Sequence, residues 1–237
     1  SKRNFAHYAR LAGEDVDASI ALLREALAAQ IDAVGPASHE VASTRNAIGS
    51  ALRYSGDQLG ALEEFQAALE ILEDLPAGHN DRRFRPELLN QIGNISDSLA
   101  DIDGAIAYYG RALDLLEERG ETDHPLVGAL LNNIGVSLRG RGDLEEALSY
   151  MERAVEHTRR VLGEESEDYE VQLSSLGRVL GQVGRFEEAN RALDAAREVA
   201  EKLYGRDHPF YAWHLVNKAR MRQLQADHAA ALVLLEQ

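Results

Sequence analysis

The stretch Asp123-His124-Pro125…Leu131-Asn132-Asn133-Ile134-Gly135…Arg141-Gly142-Asp143-Leu144-Glu145-Glu146-Ala147…Leu162-Gly163 reads as two helices joined by a tight turn. The proline near N1 starts the first helix, since the N–H it lacks would have no helical partner there. Leu131, Ile134, Gly135 and Leu138 then recur on one helical face. Arg141-Gly142-Asp143 breaks the helix: glycine can take a left-handed conformation at its end, and aspartate can cap the next N-terminus. The second helix carries Ala147, Leu148, Met151, Ala154 and Val155 and ends at Leu162-Gly163. Gly135 and Ala147 let the pair approach closely, Ala154 admits the next helix, and Met151 fills the gap between them.

The same pattern recurs along the chain. Gly49, Gly93, Gly135 and Gly177 stand in register, with Ala219 at the fifth place, in steps of 44, 42, 42 and 42 residues. Twelve residues beyond each come Ala61, Ala105, Ala147, Ala189 and Ala231, and four further on Phe65, Tyr109, Met151, Leu193 and Leu235. A period of this length, with small and large residues at fixed offsets, describes a helix pair per repeat, stacked into an elongated array. One array over residues 1–237 is expected, with a degenerate repeat at 1–37, repeats at 38–80, 81–122, 123–164 and 165–206, and a truncated one at 207–237. In the last repeat Lys218 and Arg222 replace Ile or Leu, which predicts either a polar terminal helix or a slip in register.

Composition sets further bounds. At 45% hydrophobic and 27% charged residues, the chain is that of an ordered, water-soluble protein. It has no cysteine, which excludes disulfides and thiolate metal sites and fits a reducing, cytoplasmic setting. No apolar run approaches the roughly 18 residues a membrane span needs. A net charge of −15 argues against nucleic acid and anionic membranes as partners. Starting at Ser1 and stopping within a helical pattern at Ala229–Gln237, the chain is expected to be an excerpt of a longer protein.

The residues quoted above resemble the tetratricopeptide repeat, in its 42-residue kinesin-light-chain-like form. The fourth repeat matches again through Leu173, Leu176-Gly177, Gly184-Arg185-Phe186-Glu187-Glu188-Ala189 and Leu203-Tyr204-Gly205-Arg206-Asp207-His208-Pro209. The resemblance implies an all-α, right-handed α-solenoid in which the first helix of each repeat lines a concave face. It also implies protein or peptide binding there, with asparagines clamping the ligand backbone.

On those terms the first-helix windows 41–54, 85–98, 127–140, 169–182 and 211–224 become informative. They hold three acids (Glu87, Asp97, Glu170) against eight bases (Arg45, Arg53, Arg85, Arg139, Arg178, Lys218, Arg220, Arg222), whereas the whole chain has 40 acids and 25 bases. A neutral-to-basic face within an acidic shell is therefore expected. Asn46, Asn90, Asn132 and Ser174 share one repeat position, and Asn133, Ser175 and Asn217 the next. An amide donates to a C=O and accepts from an N–H at once. Arg53 and Arg139 share a position, as do Arg178 and Arg220, and an arginine fork can hold a carboxylate in two bonds. The expected binding residues are Asn46, Arg53, Asn90, Asn132, Asn133, Arg139, Ser174, Arg178, Asn217 and Arg220, and the expected ligand an acidic protein segment.

No catalytic, metal or cofactor site is expected. His124 and His208 belong to the repeated helix start, and the other histidines lack ligand partners at metal-binding spacing. Asp15-x-Asp17 and Asp101-x-Asp103 lack the continuation of a calcium loop and read as helix caps. Phosphate-binding glycine loops and nucleophile elbows are absent. Arg82-Arg83-Phe84-Arg85 reads either as a basic docking loop or as a solvated connection with Phe84 tucked beneath it, and Trp213 either as a ligand anchor or as end packing. Against the peptide binder stands a self-assembling or intramolecular scaffold, covering Leu232, Leu234 and Leu235 as a homodimer through the C-terminal end or against another domain.

Overall fold

Each repeat's turn-and-cap chemistry sets where its helices begin and end. In the computed structural model, which describes residues 16–75 and 84–235, the helices are α1 (Val16–Val34), α2 (His39–Ser55), α3 (Gln58–Asp74), α4 (Phe84–Ser98), α5 (Ile102–Glu118), α6 (Pro125–Arg141), α7 (Leu144–Leu162), α8 (Glu167–Gln182), α9 (Phe186–Tyr204) and α10 (Pro209–Leu235). No strand occurs among the described residues. Pro125 opens α6, and the preceding His124 caps it, its Nδ1 accepting from the Leu126 N–H at 3.2 Å. Ser38 and Ser166 cap α2 and α8 by accepting from the N–H of Val41 and Tyr169. Asp57 and Asp101 cap α3 and α5 through the N–H groups of Gly60 and Gly104. Asp143 makes no such bond at α7 and pairs with Arg141 instead. The expected Asp15 cap lies outside the described residues, while Asp17 stands in the first turn of α1.

The turn within a repeat shows how tightly position governs residue type. Gly56 (φ 97°) and Gly142 (φ 99°) end α2 and α6 in the left-handed region. Their counterpart after α4 is Ala100, which holds φ 64° although it carries a Cβ.

The chain divides into two contact-dense bodies, Ser1–Ala100 and Asp101–Gln237. In the first, α1 packs on α2, α2 on α3 and α3 on α4. In the second, each helix from α5 to α10 packs on its successor, and the first helices of repeats also meet: α6 with α8, and α8 with α10. The core follows the repeat. Phe65, Met151 and Leu193 are buried against Gly49, Gly135 and Gly177; a Cβ on any of these glycines would stand 2.7 Å from the large side chain. Ala61, Ala68, Ala147, Ala154, Ala189 and Ala196 are fully buried.

The last helix keeps its register. Helix α10 buries His214, Asn217 and Met221 at helical spacing, the repeat positions of the buried Gln172, Ser175 and Val179. Leu215 and Arg222 lie on its exposed side, with Lys218 half-buried. The polar substitutions therefore mark an outward face and not a slip. The side chains of Leu232, Leu234 and Leu235, on which the assembly expectation rested, lie outside the described residues. So do Arg82 and Arg83. Phe84 and Arg85 form the first turn of α4, where Phe84 packs on the His39 ring and Arg85 donates to the Leu72 carbonyl.

Candidate functional site

The expected binding residues fall in both bodies. In the first, Asn46 on α2 accepts from the Gln91 side chain of α4 at 3.0 Å, so its amide bridges two first helices. Asn90 is half-buried on α4, and Arg53 is exposed near the end of α2. In the second body Asn132, Ser174 and Asn217 are buried, at 8%, 0% and 5% exposure, while Asn133 is half-buried. These amides face the seams between helices more than solvent. Asn132 Oδ1 and Asn217 Nδ2 nonetheless find no protein partner, two groups that a ligand or a water at the seam would satisfy.

The eight bases of the first helices separate once geometry is known. Arg45 is paired with Glu64 at 2.8 Å and Lys218 with Asp194 at 2.6 Å, so second-helix acids neutralise both. Arg139, Arg178 and Arg220 have no carboxylate partner among the described residues. They project from α6, α8 and α10, consecutive first helices that touch one another. Both Arg139 and Arg178 bury an Nε that bonds to nothing. Burial first, then the like charge of Arg139 and Arg220, pushes the Arg178 guanidinium below its ordinary pKa. The Arg178 guanidinium carbon stands 6.0 Å from the centroid of the Trp213 ring, which is 42% exposed, and its Nη2 donates to Ser175 Oγ at 3.4 Å. Trp213 thus stands beside Arg178 with its ring partly exposed.

One constellation escaped the sequence reading. Glu170 on α8 and His214 on α10 approach at 2.9 Å, and Ser174 Oγ lies 3.4 Å from both Glu170 Oε1 and His214 Nδ1. A serine, a histidine and a carboxylate invite a nucleophile–base interpretation. Their burial argues otherwise: exposures of 0%, 1% and 4% for Ser174, His214 and Glu170 leave the hydroxyl no face to a substrate. His214 Nε2, though close to Glu170 Oε1, is not aligned to hydrogen-bond it, so the trio is a buried polar contact between α8 and α10 in which Ser174 Oγ joins the two side chains. Its available signal was the i, i+4 spacing of Glu170 and Ser174 on one helical face.

A cavity of about 730 Å³ opens elsewhere in the second body, lined by residues including Leu113, Val127, Leu131, Tyr150, Arg153 and His157 of α5, α6 and α7. None of its lining residues is a candidate binding residue, and the cationic cluster is the better-founded site. Among the described residues no group of three or more histidines and acids is arranged to hold a metal ion, and no helix is long and apolar enough to cross a membrane.

Helix pairs with glycine–alanine seams and a polar first-helix surface define the class of helical-repeat interaction scaffolds. The tetratricopeptide-repeat profile matches residues 84–160, 127–193 and 167–237, well over half of the chain, and the protein belongs to that family. No curated protein matches it in sequence. Among solved structures, BtubC (BKLC) from P. vanneervenii superposes with a TM-score of 0.75 at 18% identity, covering 94% of this chain and 89% of that one. A putative kinesin light chain of nearly identical TPR-like repeats from Podosopora anserina gives 0.67 at 17% identity, covering 85% and 94%. The apo form of RapI gives 0.69 at 16% identity, covering 93% of this chain and 57% of its own. At such identities these likenesses establish the fold, an all-α solenoid of the tetratricopeptide type.

Proposed function

We propose that the protein is a non-enzymatic binding module that captures an acidic segment of a partner protein on the surface made by the first helices of its repeats. The observation that carries this reading is the trio Arg139, Arg178 and Arg220, cations with no carboxylate partner among the described residues, in a chain of net charge −15. Like-charged guanidiniums, with Arg139 and Arg178 half-buried and Arg220 exposed, are costly to hold together, and an anionic ligand offsets that cost. Around them the unpartnered polar atoms of Asn132 and Asn217 suit the peptide groups of an extended segment. Asn133 supplies a further polar contact on this reading, Ser174 acts indirectly by holding α10 to α8, and Asn46, Arg53 and Asn90 would serve a contact of the first body by itself. Lacking cysteine, the chain suits the reducing cytoplasm, where we place the interaction.

The test is a binding screen with acidic peptides, followed by Arg139→Glu. Charge reversal should abolish capture of acidic sequences and leave the helical content unchanged by circular dichroism. Undiminished binding in that variant would remove the arginine surface from the function.

A second reading, self-association, draws on α10, where Leu215 and Val216 are 50% and 56% exposed beside a groove lined by Arg197, Tyr211 and Lys218. Light scattering over a concentration range decides it: a mass that stays monomeric throughout excludes this reading.

A further inference from the structure

We infer that the arginine trio recognises a phosphorylated side chain in the partner segment, in preference to a carboxylate. This inference rests on the reading of the first-helix surface as a capture site and names the chemistry it selects. Three guanidiniums project from α6, α8 and α10, first helices in contact one after the next, and none has a carboxylate partner among the described residues. A carboxylate brings one charge and two oxygens, enough for a single bidentate arginine fork. It would leave the remaining charge of the trio uncompensated. A phosphate monoester brings a charge of about −2 at neutral pH and three acceptor oxygens, one edge for each fork. Each phosphate oxygen can accept two N–H groups, and the terminal Nη groups of the three planar guanidiniums are donors of that kind.

The surroundings select the form in which that phosphate arrives. Trp213 stands beside Arg178 with its ring partly exposed, an apolar surface next to the cations for the chain that carries the phosphate. Acidic pairs on the second helices, Glu145-Glu146 and Glu187-Glu188, contribute to the net charge of −15 that repels polyanions. A membrane surface or a nucleic acid carries its phosphates in dense arrays and meets that repulsion in full. A single phosphorylated residue in a flexible segment meets the arginines alone.

The probes are the blocked peptides acetyl-Ala-Ala-phosphoserine-Ala-Ala-amide and its counterpart with glutamate at the central position. Both are titrated by calorimetry at low salt, and the emission of Trp213, the only tryptophan in the chain, locates the ligand. The phosphopeptide should bind at least about tenfold more tightly than the glutamate peptide, as expected for an added charge-assisted hydrogen bond. Its affinity should fall between pH 7.5 and pH 5.5, because the ester takes up its second proton near pH 6, whereas the glutamate peptide stays ionised. Arg139→Gln and Arg220→Gln should each weaken the phosphopeptide about tenfold, and Arg191→Gln, on the exposed side of α9, should not. Equal affinity for the two peptides would overturn the phosphate inference and leave acidic capture standing. No binding of either would overturn both. Tighter binding to phosphoinositide vesicles than to the phosphopeptide would overturn it in favour of a membrane ligand.

Discussion

Arg178 lies over the face of Trp213, with its guanidinium carbon 6.0 Å from the ring centroid, and does so without any carboxylate partner among the described residues. Its charge is disfavoured by burial and by Arg139 and Arg220, so its pKa is lowered. A base whose folded pKa lies below its unfolded value loses stability as pH falls through the unfolded value toward the folded one. A free guanidinium titrates far above neutral pH, so at neutral pH the penalty is present in full. Arg139→Gln should therefore raise stability, by a few tenths to about 1 kcal/mol, while weakening anion binding. Urea unfolding beside a binding titration checks this. A variant that loses both stability and binding would show that Arg139 holds the fold together and is not kept for a ligand.

Ala100 presents the opposite case, a residue type at odds with its backbone. It holds φ 64° where the equivalent turns have Gly56 and Gly142. An L-residue in this region costs about 1–2 kcal/mol, and the greater freedom of glycine in the unfolded chain recovers part of that difference. Ala100→Gly is expected to stabilise by about 0.5–1 kcal/mol. The shift in the urea midpoint at unchanged slope measures it, and a lowered midpoint would show that the left-handed turn carries no strain.

The glycine seam should respond differently in different repeats. A Cβ at Gly49 would stand 2.7 Å from two atoms of the rigid Phe65 ring, and one at Gly135 equally close to Met151 Cγ. Methionine can retreat along its rotatable bonds, whereas the fully buried phenyl ring cannot. Alanine also gains about 1 kcal/mol of helix propensity over glycine. Gly49→Ala should cost about 1–3 kcal/mol by overpacking, and Gly135→Ala should destabilise less, because the outer atoms of Met151 can turn while its Cγ, next to the Cβ, still has to give. Thermal denaturation of the two variants ranks them, and the reverse order would mean that the shared backbone contact, 3.1 Å to the Ala61 or Ala147 carbonyl, decides both.

These contrasts also explain what could be read from sequence. The repeat, the small residues at the seams and the helix starts are local or periodic features, so Gly49, Ala61 and Phe65 announced the packing that the structure contains. The division of the bases was not legible. Arg45 and Lys218 look like Arg139 in a helix window, and only the arrival of Glu64 and Asp194 from second helices separates the paired from the unpaired. Burial of the amides was hidden for a similar reason. Asn132 and Asn217 sit at positions that a first helix can turn to solvent or to its neighbour, and the neighbour's packing decides. His214 gave no warning because its partner, Glu170, lies 44 residues earlier, outside any window in which charge pairs are sought.

That buried pair supplies the last prediction. Glu170 and His214 approach at 2.9 Å, both almost wholly buried, with Ser174 against both. Removing one partner leaves the other desolvated beside only a serine, a loss of about 1–3 kcal/mol. Glu170→Ala and His214→Ala should each approach that cost, and the double variant should cost clearly less than their sum, since it strands neither group. A double-mutant cycle by thermal denaturation measures the coupling. Trp213, whose ring meets His214 edge-on at 5.2 Å, gives a second readout, because loosening α10 should move its emission in the single variants. Strict additivity would mean that the two groups are held by their separate helices, and the seam between α8 and α10 would then rest on Met221 and its apolar neighbours.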